Sequence, residues 1–571
     1  MEKWVMAAKR ADYAAIGQRL GIDPVVARVL RNRGVESDEE IRRYLWGGLE
    51  ELHDPMLFLG MEKAVSMIKE KIVSRKKIRI IGDYDIDGIM SVYILYQGLS
   101  ELGAVVDYAI PNRILDGYGL NESLVRLAAD SGADMILTCD NGISSGKSIR
   151  LAKELGLEVI VTDHHEVLEM PEAADAVIDA KREGETYPYR ELCGAGVAFK
   201  LIRALGGDPE MRLLQYVAFA TIGDVVDLTG ENRILVKEGL KALRKTDNAG
   251  LLALAKECRI EMQNVGTYHV GFILGPCLNA SGRLDTALKA LQLLLAQDSG
   301  MASRLAKELW QLNEERKAMT ESGFKDAVEN VERSQPIDTV LVVYLPALHE
   351  SLCGLVAGRL RERYGRPCFV LTKVEGGVKG SGRSIEAYSM FEKLCEVKAL
   401  LTKFGGHPMA AGLSMPEENV EVFRTELNEK AGLAEEDLVP KIVIDVPMPV
   451  SYITEELVDQ LSLLEPFGKA NPRPVFADRQ VSLAHPRIFG ANRNVLKTRV
   501  RSLAVPGDSR EDLIGFQPAE VGPAFEAVAF RNVEALAEKI ANDHWAQIAY
   551  YPKFNEYMGR RRIELEIQNF R

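Results

Sequence analysis

Short apolar runs of strand length recur between residues 55 and 230. They occupy 78–81, 105–110, 134–138, 157–161 and 175–178, and most are separated by segments whose apolar residues follow helical spacing. Strands that alternate with helices form a mostly parallel sheet covered on both faces. The pattern therefore predicts an α/β domain in this part of the chain.

The remaining segments show other patterns. Residues 1–54 contain short amphipathic helical pieces, 231–335 are largely helical with a long helix predicted over 302–331, and a second, smaller α/β unit follows. After residue 440, short β-like runs and Pro-rich turns predict a small barrel. A chain of 571 residues needs several cores. We therefore expect five segments: a helical extension (1–54), an α/β domain (55–300), a connecting helix (301–337), a second α/β domain (338–438) and a barrel (439–571).

The strongest chemical signal follows the first predicted strand. Asp83, Asp85 and Asp87 lie within five residues, and Gly88 then begins an apolar helical stretch. One such Asp is a common turn residue or helix cap. Three ionised carboxylates this close repel one another unless a cation lies between them. The cluster therefore favours a metal site.

Asp and His also follow three further apolar segments. They are Asp140 after 134–138, Asp163, His164 and His165 after 157–161, and Asp224 after 220–222. The carboxyl ends of parallel strands meet at one edge of a sheet, so we expect these side chains to converge. Carboxylate oxygen and imidazole nitrogen suit Mn²⁺ or Mg²⁺.

Composition narrows the class of protein. The net charge of −12 argues against nucleic-acid binding over the whole surface, although a local basic groove remains compatible with it. Seven cysteines without a C-x-x-C pair indicate reduced thiols. No run of 18 apolar residues and no signal-like N-terminus are present, so we expect a cytoplasmic protein that does not enter a membrane.

The second half of the chain contains glycine-rich and basic segments. Segment 379–384 (KGSGRS) and segment 405–408 (GGHP) offer backbone N–H groups and cations that suit a phosphate, with a solvated turn as the alternative. Segment 471–502 has one acid and seven basic residues: Arg473, Arg479, Arg487, Arg493, Lys497, Arg499 and Arg501. Alternation places the last three on one strand face, which suits tracking a single strand or is a solvated face. Candidate stacking residues are Phe476, Phe489 and Tyr551.

Four motifs resemble those of the DHH phosphoesterase superfamily, in family order. They are segments 83–88 (DYDIDG), 140–142 (DNG), 163–165 (DHH) and 223–226 (GDVV). Within it, the sequence resembles the RecJ family of bacterial single-strand-specific 5′ exonucleases. That likeness is carried by 275–283 (GPCLNASGR), 380–384 (GSGRS), 405–412 (GGHPMAAG) and 464–472 (LEPFGKANP), and it covers about 55–571. It implies a DHH domain, a DHHA1-type domain and an oligonucleotide-binding (OB) barrel.

The resemblance implies a centre of two divalent cations, Mn²⁺ or Mg²⁺, which activate water for phosphodiester hydrolysis. The implied ligands are Asp85, Asp87, Asp140, His164 and Asp224, with Asp140 shared and Asp83 a further ligand or supporting partner. His165 would face the scissile phosphate, and Asp163 would orient the histidine pair. Many relatives have His where this chain has Ile81. The first ion is therefore expected to be held less tightly or differently.

The same likeness implies contacts to the substrate. In the two α/β domains these are Arg113, Tyr118, Asn279, Arg283, Ser381, Gly382, Arg383, Gly406 and His407, and in the barrel they are Arg473, Lys497 and Arg499. At 349–351 the chain has His-Glu-Ser where many relatives have His-Pro-Gly, which leaves His349 without an assigned role.

The implied activity is degradation of single-stranded DNA from the 5′ end to mononucleotides in recombination and repair. Single-strand-binding protein and a RecQ-type helicase are expected partners of a monomeric enzyme. One alternative is a phosphodiesterase for short oligonucleotides or cyclic dinucleotides, which would not need a basic barrel. Another is a catalytically silent single-strand-binding scaffold, although relatives of that kind lack metal ligands that are present in this chain.

Overall fold

The computed structural model describes residues 2–113, 116–333, 336–490, 493–503, 520–543, 545–557 and 559–571. These form two compact units. The larger unit comprises His53–Val226 and Glu231–Pro440, and the barrel unit comprises Glu2–Leu52, Asp227–Gly230 and Lys441–Arg571.

The N-terminal segment belongs to the barrel unit. Its elements are β1 (Lys3–Met6), α1 (Tyr13–Leu20), α2 (Pro24–Asn32) and α3 (Asp38–Trp46). The last helix begins with a capping box, in which the Ser37 hydroxyl accepts from the Glu40 N–H and the Glu40 carboxylate accepts from the Ser37 N–H. The apolar faces of these helices are buried in the same core as the barrel.

The first α/β domain of the larger unit is a five-stranded parallel sheet with helices between the strands. Its elements are α4 (Met61–Ser74), β2 (Lys77–Ile81), α5 (Ile86–Glu101), β3 (Val105–Ala109), α6 (Glu122–Asp130), β4 (Met135–Cys139), α7 (Gly146–Glu154), β5 (Glu158–Thr162) and β6 (Ala176–Ile178). The strand order is β3-β2-β4-β5-β6. All five strands predicted from the sequence are confirmed to within one residue at each end.

A helical region follows. Its elements are α8 (Gly194–Leu205), α9 (Leu214–Gly223), α10 (Gly230–Leu243), α11 (Ala249–Glu257), α12 (Thr267–His269), a π-helical turn (Val270–Leu274), α13 (Gly275–Leu284), α14 (Leu288–Leu295) and α15 (Ser299–Arg333). The long helix predicted over 302–331 is confirmed. The grouping of 220–222 with the strand ends was wrong, because these residues form the last turn of α9. That helix is buried on all sides, and a short apolar run does not distinguish a buried helix from a strand.

The second α/β domain contains a mixed five-stranded sheet. Its elements are β7 (Leu341–Tyr344), α16 (Cys353–Tyr364), β8 (Cys368–Val374), β9 (Gly377–Arg383), α17 (Met390–Glu396), β10 (Lys403–His407), β11 (Ala410–Met415) and α18 (Val420–Glu429). The order is β10-β11-β9-β8-β7. Only the β7–β8 pair is parallel.

The barrel unit is completed by the C-terminal segment. Its elements are β12 (Lys441–Ile444), β13 (Val446–Pro447), α19 (Glu455–Ser462), β14 (Phe476–Phe489), β15 (Val495–Leu503), β16 (Glu520–Ala529), α20 (Val533–Asp543), β17 (Trp545–Tyr557) and β18 (Arg560–Phe570). Strands β14, β15, β16, β18 and β17 pair in that order, and β17 pairs again with β14, which closes the predicted barrel.

The N-terminal extension is not purely helical as predicted. Strand β1 pairs in parallel with β12, so that Trp4 lies opposite Ile442. A four-residue strand whose partner lies more than four hundred residues away has no local signal in the sequence.

None of the helices in the described ranges has the length and apolar content that crossing a membrane requires.

Candidate metal centre and phosphate-binding residues

The loop between β2 and α5 places three carboxylates at the carboxyl edge of the sheet. Asp85 is the N-cap of α5, and its Oδ1 accepts hydrogen bonds from the N–H groups of Asp87 (3.0 Å) and Gly88 (3.2 Å). Gly88 is required because a Cβ there would lie 2.4 Å from the carbonyl oxygen of Asp83. Asp83 and Asp87 are both buried. The sequence therefore folds this loop tightly around its own acidic side chains.

Asp87 is held by the start of a neighbouring helix. The N–H groups of Gly194 and Ala195, in the first turn of α8, donate to its two carboxylate oxygens at 2.6 and 2.8 Å. A helix N-terminus favours negative charge. Burial and the Asp85 charge act in the other direction and raise the pKa of Asp87 to about 6.

Asp140 follows β4 in a left-handed conformation, with φ of 60°. The next residue fixes the local backbone, because the Asn141 side chain donates to the carbonyls of Ile81 (3.1 Å) and Cys139 (2.8 Å) and accepts from the Leu120 N–H (3.1 Å). Asp140 is buried. Asn141 thus joins the ends of β2 and β4 and directs Asp140 toward the carboxylates of the first loop.

The residues after β5 form a histidine pair that one carboxylate supports. Asp163 accepts hydrogen bonds from the His164 N–H (2.8 Å), from the Ile143 N–H (2.9 Å) and from Nδ1 of His165 (2.7 Å). Burial alone would raise the pKa of Asp163, but these bonds and the His165 charge lower it. Burial alone would lower the pKa of His165. The hydrogen bond to Asp163 and the charge of that carboxylate outweigh burial and raise the pKa to about 9.

His164 lies deeper than His165 and points into the acidic cluster. Its Nε2 lies 3.0 Å from Oδ1 of Asp140, 3.5 Å from Oδ2 of Asp87 and 3.9 Å from Oδ2 of Asp224. Burial lowers the pKa of His164 to about 3, so the ring is neutral and offers a lone pair. Asp224 caps the carboxyl end of α9, which brings a helix end to the same place as three strand ends.

The predicted metal-binding residues come together as overlapping groups. Asp83, Asp85 and Asp140 form one group, Asp87, His164 and Asp224 form a second, and Asp140, His164 and His165 form a third. Within each group, one ligand atom per residue lies within 4.8 Å of the others. Asp140 and His164 belong to two groups each, as an arrangement for two adjacent ions requires.

Polar atoms in this cluster also lack protein partners. Among the described residues, Oδ1 of Asp83, Oδ1 of Asp140 and Nε2 of His164 are buried without a hydrogen bond. Burial and the neighbouring carboxylates raise the pKa values of Asp83 and Asp140 well above the usual range. Orphaned acceptors and mutually repelling carboxylates are stabilised by divalent cations, so the donor set fits Mn²⁺ or Mg²⁺.

Tyr118 lies at the rim of this centre, as the sequence predicts. Its hydroxyl donates to the Asp140 carbonyl at 3.1 Å and lies 3.3 Å from the ring nitrogens of His165. Arg113 stacks on the ring of Tyr84, with 4.6 Å between guanidinium carbon and ring centroid. Both residues therefore neighbour the metal-binding loops.

Helix α13 brings Asn279 and Arg283 to the first loop. A Cβ on Gly282 would lie 2.2 Å from the carbonyl oxygen of Tyr84, so the helix touches that backbone directly. Asn279 and Arg283 are one turn apart, and Oδ1 of Asn279 is buried without a hydrogen bond among the described residues. Arg283 donates to the carbonyl of Ser351 at 2.8 Å.

Arg283 lies among other arginines. Burial, together with Arg113 and Arg316, lowers the pKa of Arg283 to about 10, with Arg383 adding to the effect and Asp85 opposing it. The sequence analysis did not identify Arg316, because it lies on α15 far from any motif. A concentration of guanidinium groups beside an acidic metal centre suits a phosphate anion.

The glycine-rich segment of the second α/β domain is the end of β9 rather than a loose turn. Arg383 donates to the Ser381 hydroxyl (3.1 Å) and the Gly382 carbonyl (2.8 Å). A Cβ on Gly382 would lie 2.5 Å from the sulfur of Met390 and 2.7 Å from the ring of Phe369, so a larger residue would have to displace these side chains. The β10–β11 hairpin that contains Gly406 and His407 lies alongside β9, with Ala410 opposite Arg383.

His349 has a structural contact. Its Nδ1 lies 2.8 Å from the Ser351 hydroxyl and accepts from the Ser351 N–H at 3.3 Å. It caps the short turn that presents the Ser351 carbonyl to Arg283.

The basic residues predicted in the barrel lie on its surface but are partly paired. Arg473 contacts Glu566 at 3.0 Å, Lys497 lies 3.6 Å from Glu564, and Arg499 contacts Glu526 at 3.0 Å. Lys497, Arg499 and Arg501 face the same side of β15, as the alternation predicts.

The prediction of stacking residues was wrong for two of the three aromatic side chains. Phe476 and Tyr551 are buried in the barrel core, whereas Phe489 is exposed. The alternation of β14 and β17 does not reveal which face closes the barrel.

A groove of about 1280 Å³ runs over this basic face. Lys497, Arg499 and Arg501 line it together with Arg560, Arg561 and Arg562 from the start of β18. The sequence analysis missed the last three, although their run (RRR) is a visible signal. It also missed Asp179, which is buried near Asp163 and has its pKa raised to about 8 by burial.

This fold and site define the class of protein. A parallel sheet with three acidic or histidine-bearing strand ends and a buried carboxylate–histidine cluster is a DHH-type phosphoesterase centre. Family models match in three places: the DHH family N-terminal domain at 77–221, the DHHA1 domain at 338–432 and the RecJ OB domain at 444–569.

Curated relatives named single-stranded-DNA-specific exonuclease RecJ match most of the chain. The Escherichia coli protein is 34% identical, with 96% of each chain covered. The Bacillus subtilis protein is 39% identical over 89% of this chain. The match spans 64% of that relative's length. The crystal structure of RecJ in complex with Mn²⁺ from Thermus thermophilus has a TM-score of 0.81 at 28% identity and covers 100% of this chain and 79% of that one. The chain belongs to the RecJ family.

Proposed function

We propose that this protein is a Mn²⁺- or Mg²⁺-dependent exonuclease that hydrolyses single-stranded DNA from its 5′ end to mononucleotides. The observation that carries the proposal is the adjacency of two kinds of site in the larger unit. Overlapping metal-binding groups share Asp140 and His164, and an arginine cluster (Arg113, Arg283, Arg316 and Arg383) lies beside them.

We infer that Asp83, Asp85 and Asp140 hold one ion and that Asp87, Asp140, His164 and Asp224 hold the other. Bound divalent cations supply charge neutralisation at the phosphate and activation of water. Because Ile81 is buried and offers no ligand atom, the first ion depends on carboxylates alone and should be bound more weakly than the second.

The remaining residues bind and orient the strand. Asp163 holds the His165 ring through Nδ1 and keeps it protonated, so His165 presents a cationic N–H donor to a phosphate oxygen. The Tyr118 hydroxyl also contacts that ring. The arginine cluster and Ser381 bind a terminal phosphate, which places the first phosphodiester at the ions, and Asn279, Gly382, Gly406 and His407 complete the contacts.

The barrel contributes affinity for the rest of the strand. Arg473, Lys497 and Arg499 contact the backbone by charge, and the local carboxylates Glu526, Glu564 and Glu566 hold these side chains in place. An OB barrel with a basic groove tracks a single strand in this way. The relatives are single-stranded-DNA-specific exonucleases by name, which supports single-stranded DNA as the substrate.

We further propose the five-segment division at 54, 300, 337 and 438 as the domain boundaries. The three family matches fall within the corresponding segments, and helix α15 (Ser299–Arg333) begins two residues before the proposed connecting segment and ends inside it. We expect a monomeric cytoplasmic enzyme that acts in recombination and repair together with single-strand-binding protein and a RecQ-type helicase.

The test uses a long single strand labelled at its 5′ or its 3′ end. Incubation with Mn²⁺ should release the 5′ label first, as a mononucleotide, and chelator should abolish the release. Asp140→Asn should lose at least about 1,000-fold in rate because the shared ligand is removed. In calorimetric titration the variant should bind fewer Mn²⁺ ions than the wild type, whereas Asp130→Asn, an exposed carboxylate on α6, should match it.

Other results would replace the proposal. Early release of the 3′ label would reverse the polarity. Cleavage restricted to very short oligonucleotides would favour the small-substrate phosphodiesterase. Tight binding of the strand without cleavage, in the presence of either Mn²⁺ or Mg²⁺, would favour the catalytically silent scaffold.

A further inference from the structure

Two aromatic side chains on the larger unit are exposed to an unusual degree. Phe272 is 72% and Tyr268 is 63% exposed, which makes them the most exposed aromatic residues in the described part of the chain. Their rings are nearly parallel, with an interplanar angle of 25° and 5.3 Å between centroids. They therefore form an offset-stacked aromatic pair that is largely exposed to solvent. Apolar surface of this kind marks an interaction site.

The backbone that carries this pair is irregular. Phe272 lies in the π-helical turn Val270–Leu274, and Tyr268 lies in the short helix just before it. Single π-turns interrupt the ordinary hydrogen-bond ladder and are frequent at functional sites. Without the turn, the helix would direct Tyr268 and Phe272 differently.

The turn that carries the aromatic pair lies next to both acidic segments of the candidate metal centre. A Cβ on Gly271 would lie 3.5 Å from Ile222, and one on Gly275 would lie 3.3 Å from Ile86. Ile222 precedes Asp224 by two residues, and Ile86 stands between Asp85 and Asp87. The turn that carries the pair thus packs directly on the residues that position the proposed metal ligands. It also continues into α13, the helix of Asn279 and Arg283.

The chemistry of the segment selects among ligands. Residues 267–279 (TYHVGFILGPCLN) contain no Lys, Arg, Asp or Glu. Such a surface offers no charged side chain to a phosphate group. A neutral, flat group is the part of a nucleotide that fits, because every base presents a π-face that stacks on an aromatic ring.

We propose that Tyr268 and Phe272 form a stacking platform for a base of the single strand that is being hydrolysed. This inference rests on the proposed function and adds a base contact to the phosphate contacts described above. The platform holds the strand beside the metal centre without reading its sequence.

The test is a double-mutant cycle between protein and DNA. One protein variant replaces both rings by leucine (Tyr268→Leu with Phe272→Leu), and one DNA variant carries abasic sites near its 5′ end. Binding is measured by fluorescence anisotropy in chelator, which prevents hydrolysis. With normal DNA, loss of both rings should weaken binding about tenfold, as the loss of one stacked base does. With abasic DNA, wild type and variant should bind alike.

Two controls separate stacking from other effects. Tyr268→Phe with Phe272→Tyr keeps both rings and should retain wild-type affinity. Leu127→Ala replaces an exposed apolar residue on α6 and should not change the affinity for either DNA. Mn²⁺ titration of the leucine variant should match the wild type, which shows that the metal centre is intact.

Equal binding of normal DNA by the leucine variant and the wild type would overturn the platform and leave the surface to another occupant, such as a protein segment. An equal loss on normal and abasic DNA would also overturn it, because the rings would then act on the fold rather than on a base. If the wild type binds as expected but hydrolyses nothing in Mn²⁺, the proposed function fails and the platform stands.

Discussion

Asp163 and Asp140 are the same residue type in two different surroundings. Both are buried aspartates at strand ends. Asp163 is surrounded by donors, and its pKa is lowered although burial opposes this. Asp140 lies among other carboxylates, has an oxygen without a partner, and has its pKa raised by burial and by Asp87. These surroundings support the proposed roles, in which Asp163 orients the histidine pair and Asp140 binds a cation.

A glycine on α8 packs closely against Asp140, one of the proposed metal ligands. A Cβ on Gly194 would lie 2.6 Å from the Cβ and 2.9 Å from the Cα of Asp140. Gly194→Ala should therefore displace Asp140 and weaken the hydrogen bond from its own N–H to Asp87. We expect a loss of at least about tenfold in hydrolysis rate, measured with the 5′-labelled strand, because small displacements at a catalytic centre are costly.

Gly196→Ala is the matched control for this substitution. Its Cβ would meet only the Leu192 side chain, at 3.3 Å, which can move slightly. Unfolding midpoints should be similar for the two variants. Full activity in Gly194→Ala would show that Asp140 tolerates displacement and that the close contact has no functional consequence.

Strand pairing in the first sheet is reinforced by an ion pair. Arg79 on β2 donates to both oxygens of Asp107 on β3, at 2.8 and 2.5 Å, and also to the Leu127 carbonyl at 3.1 Å. Burial alone would raise the pKa of Asp107, but the hydrogen bonds from Arg79 and Lys77 outweigh it and lower the pKa. This group therefore links stability to pH.

Asp107→Asn should destabilise the protein by about 2 kcal/mol at neutral pH, because Arg79 loses a charged partner in a mostly buried position. A carboxylate with a lowered folded-state pKa stabilises the fold above its unfolded pKa of about 3.9, and the contribution is lost as the pH falls through the folded value. The difference between variant and wild type should thus be full near neutral pH and shrink below about pH 4.

Urea unfolding of both proteins across this pH range measures the effect. Asp130→Asn, an exposed carboxylate on α6, should give no comparable difference. A difference for Asp107→Asn that stays constant down to the acid limit would mean that the carboxylate acts through packing rather than through charge.

The elements of the first sheet could be predicted from sequence because their signals are local. Each strand is a short apolar run, and the residues after β2, β4 and β5 belong to recognisable motifs. Helix α9 could not be predicted in this way. Its residues are apolar on all sides, so its sequence has no amphipathic period, and only its packing shows that Asp224 comes from a helix end.

Over the whole molecule, basic charge is concentrated locally although the net charge is −12. The barrel groove has six basic residues along its walls: Lys497, Arg499, Arg501, Arg560, Arg561 and Arg562. Only three carboxylates, Glu455, Glu526 and Glu564, line the same groove. An acidic protein therefore has a local basic surface on its barrel that can attract a nucleic-acid backbone.

Replacing Arg560 and Arg562 by alanine should weaken binding of a long single strand. Both side chains are exposed, and each lost phosphate contact should reduce the slope of log affinity against log salt by about 0.7. Affinity measured over a series of salt concentrations tests this. Turnover at saturating strand should not change, because these residues lie outside the metal centre.

Lys3→Ala with Arg531→Ala is the matched control, since it removes two exposed basic residues of the same unit that do not line the groove. An equal change in salt slope for both double variants would indicate a general effect of net charge, and the groove would then have no special role in binding.

Most of the secondary-structure elements and the candidate metal ligands could be predicted from the sequence alone. Apolar periodicity is a local property, and the motif residues are defined by spacing within a few positions. The tertiary structure decided what depends on distant residues: the β1–β12 pairing, the burial of Phe476 and Tyr551 and the approach of Arg316 to Arg283. It also decided the exposure of Tyr268 and Phe272. These features arise from packing between segments far apart in the chain, which no local pattern encodes.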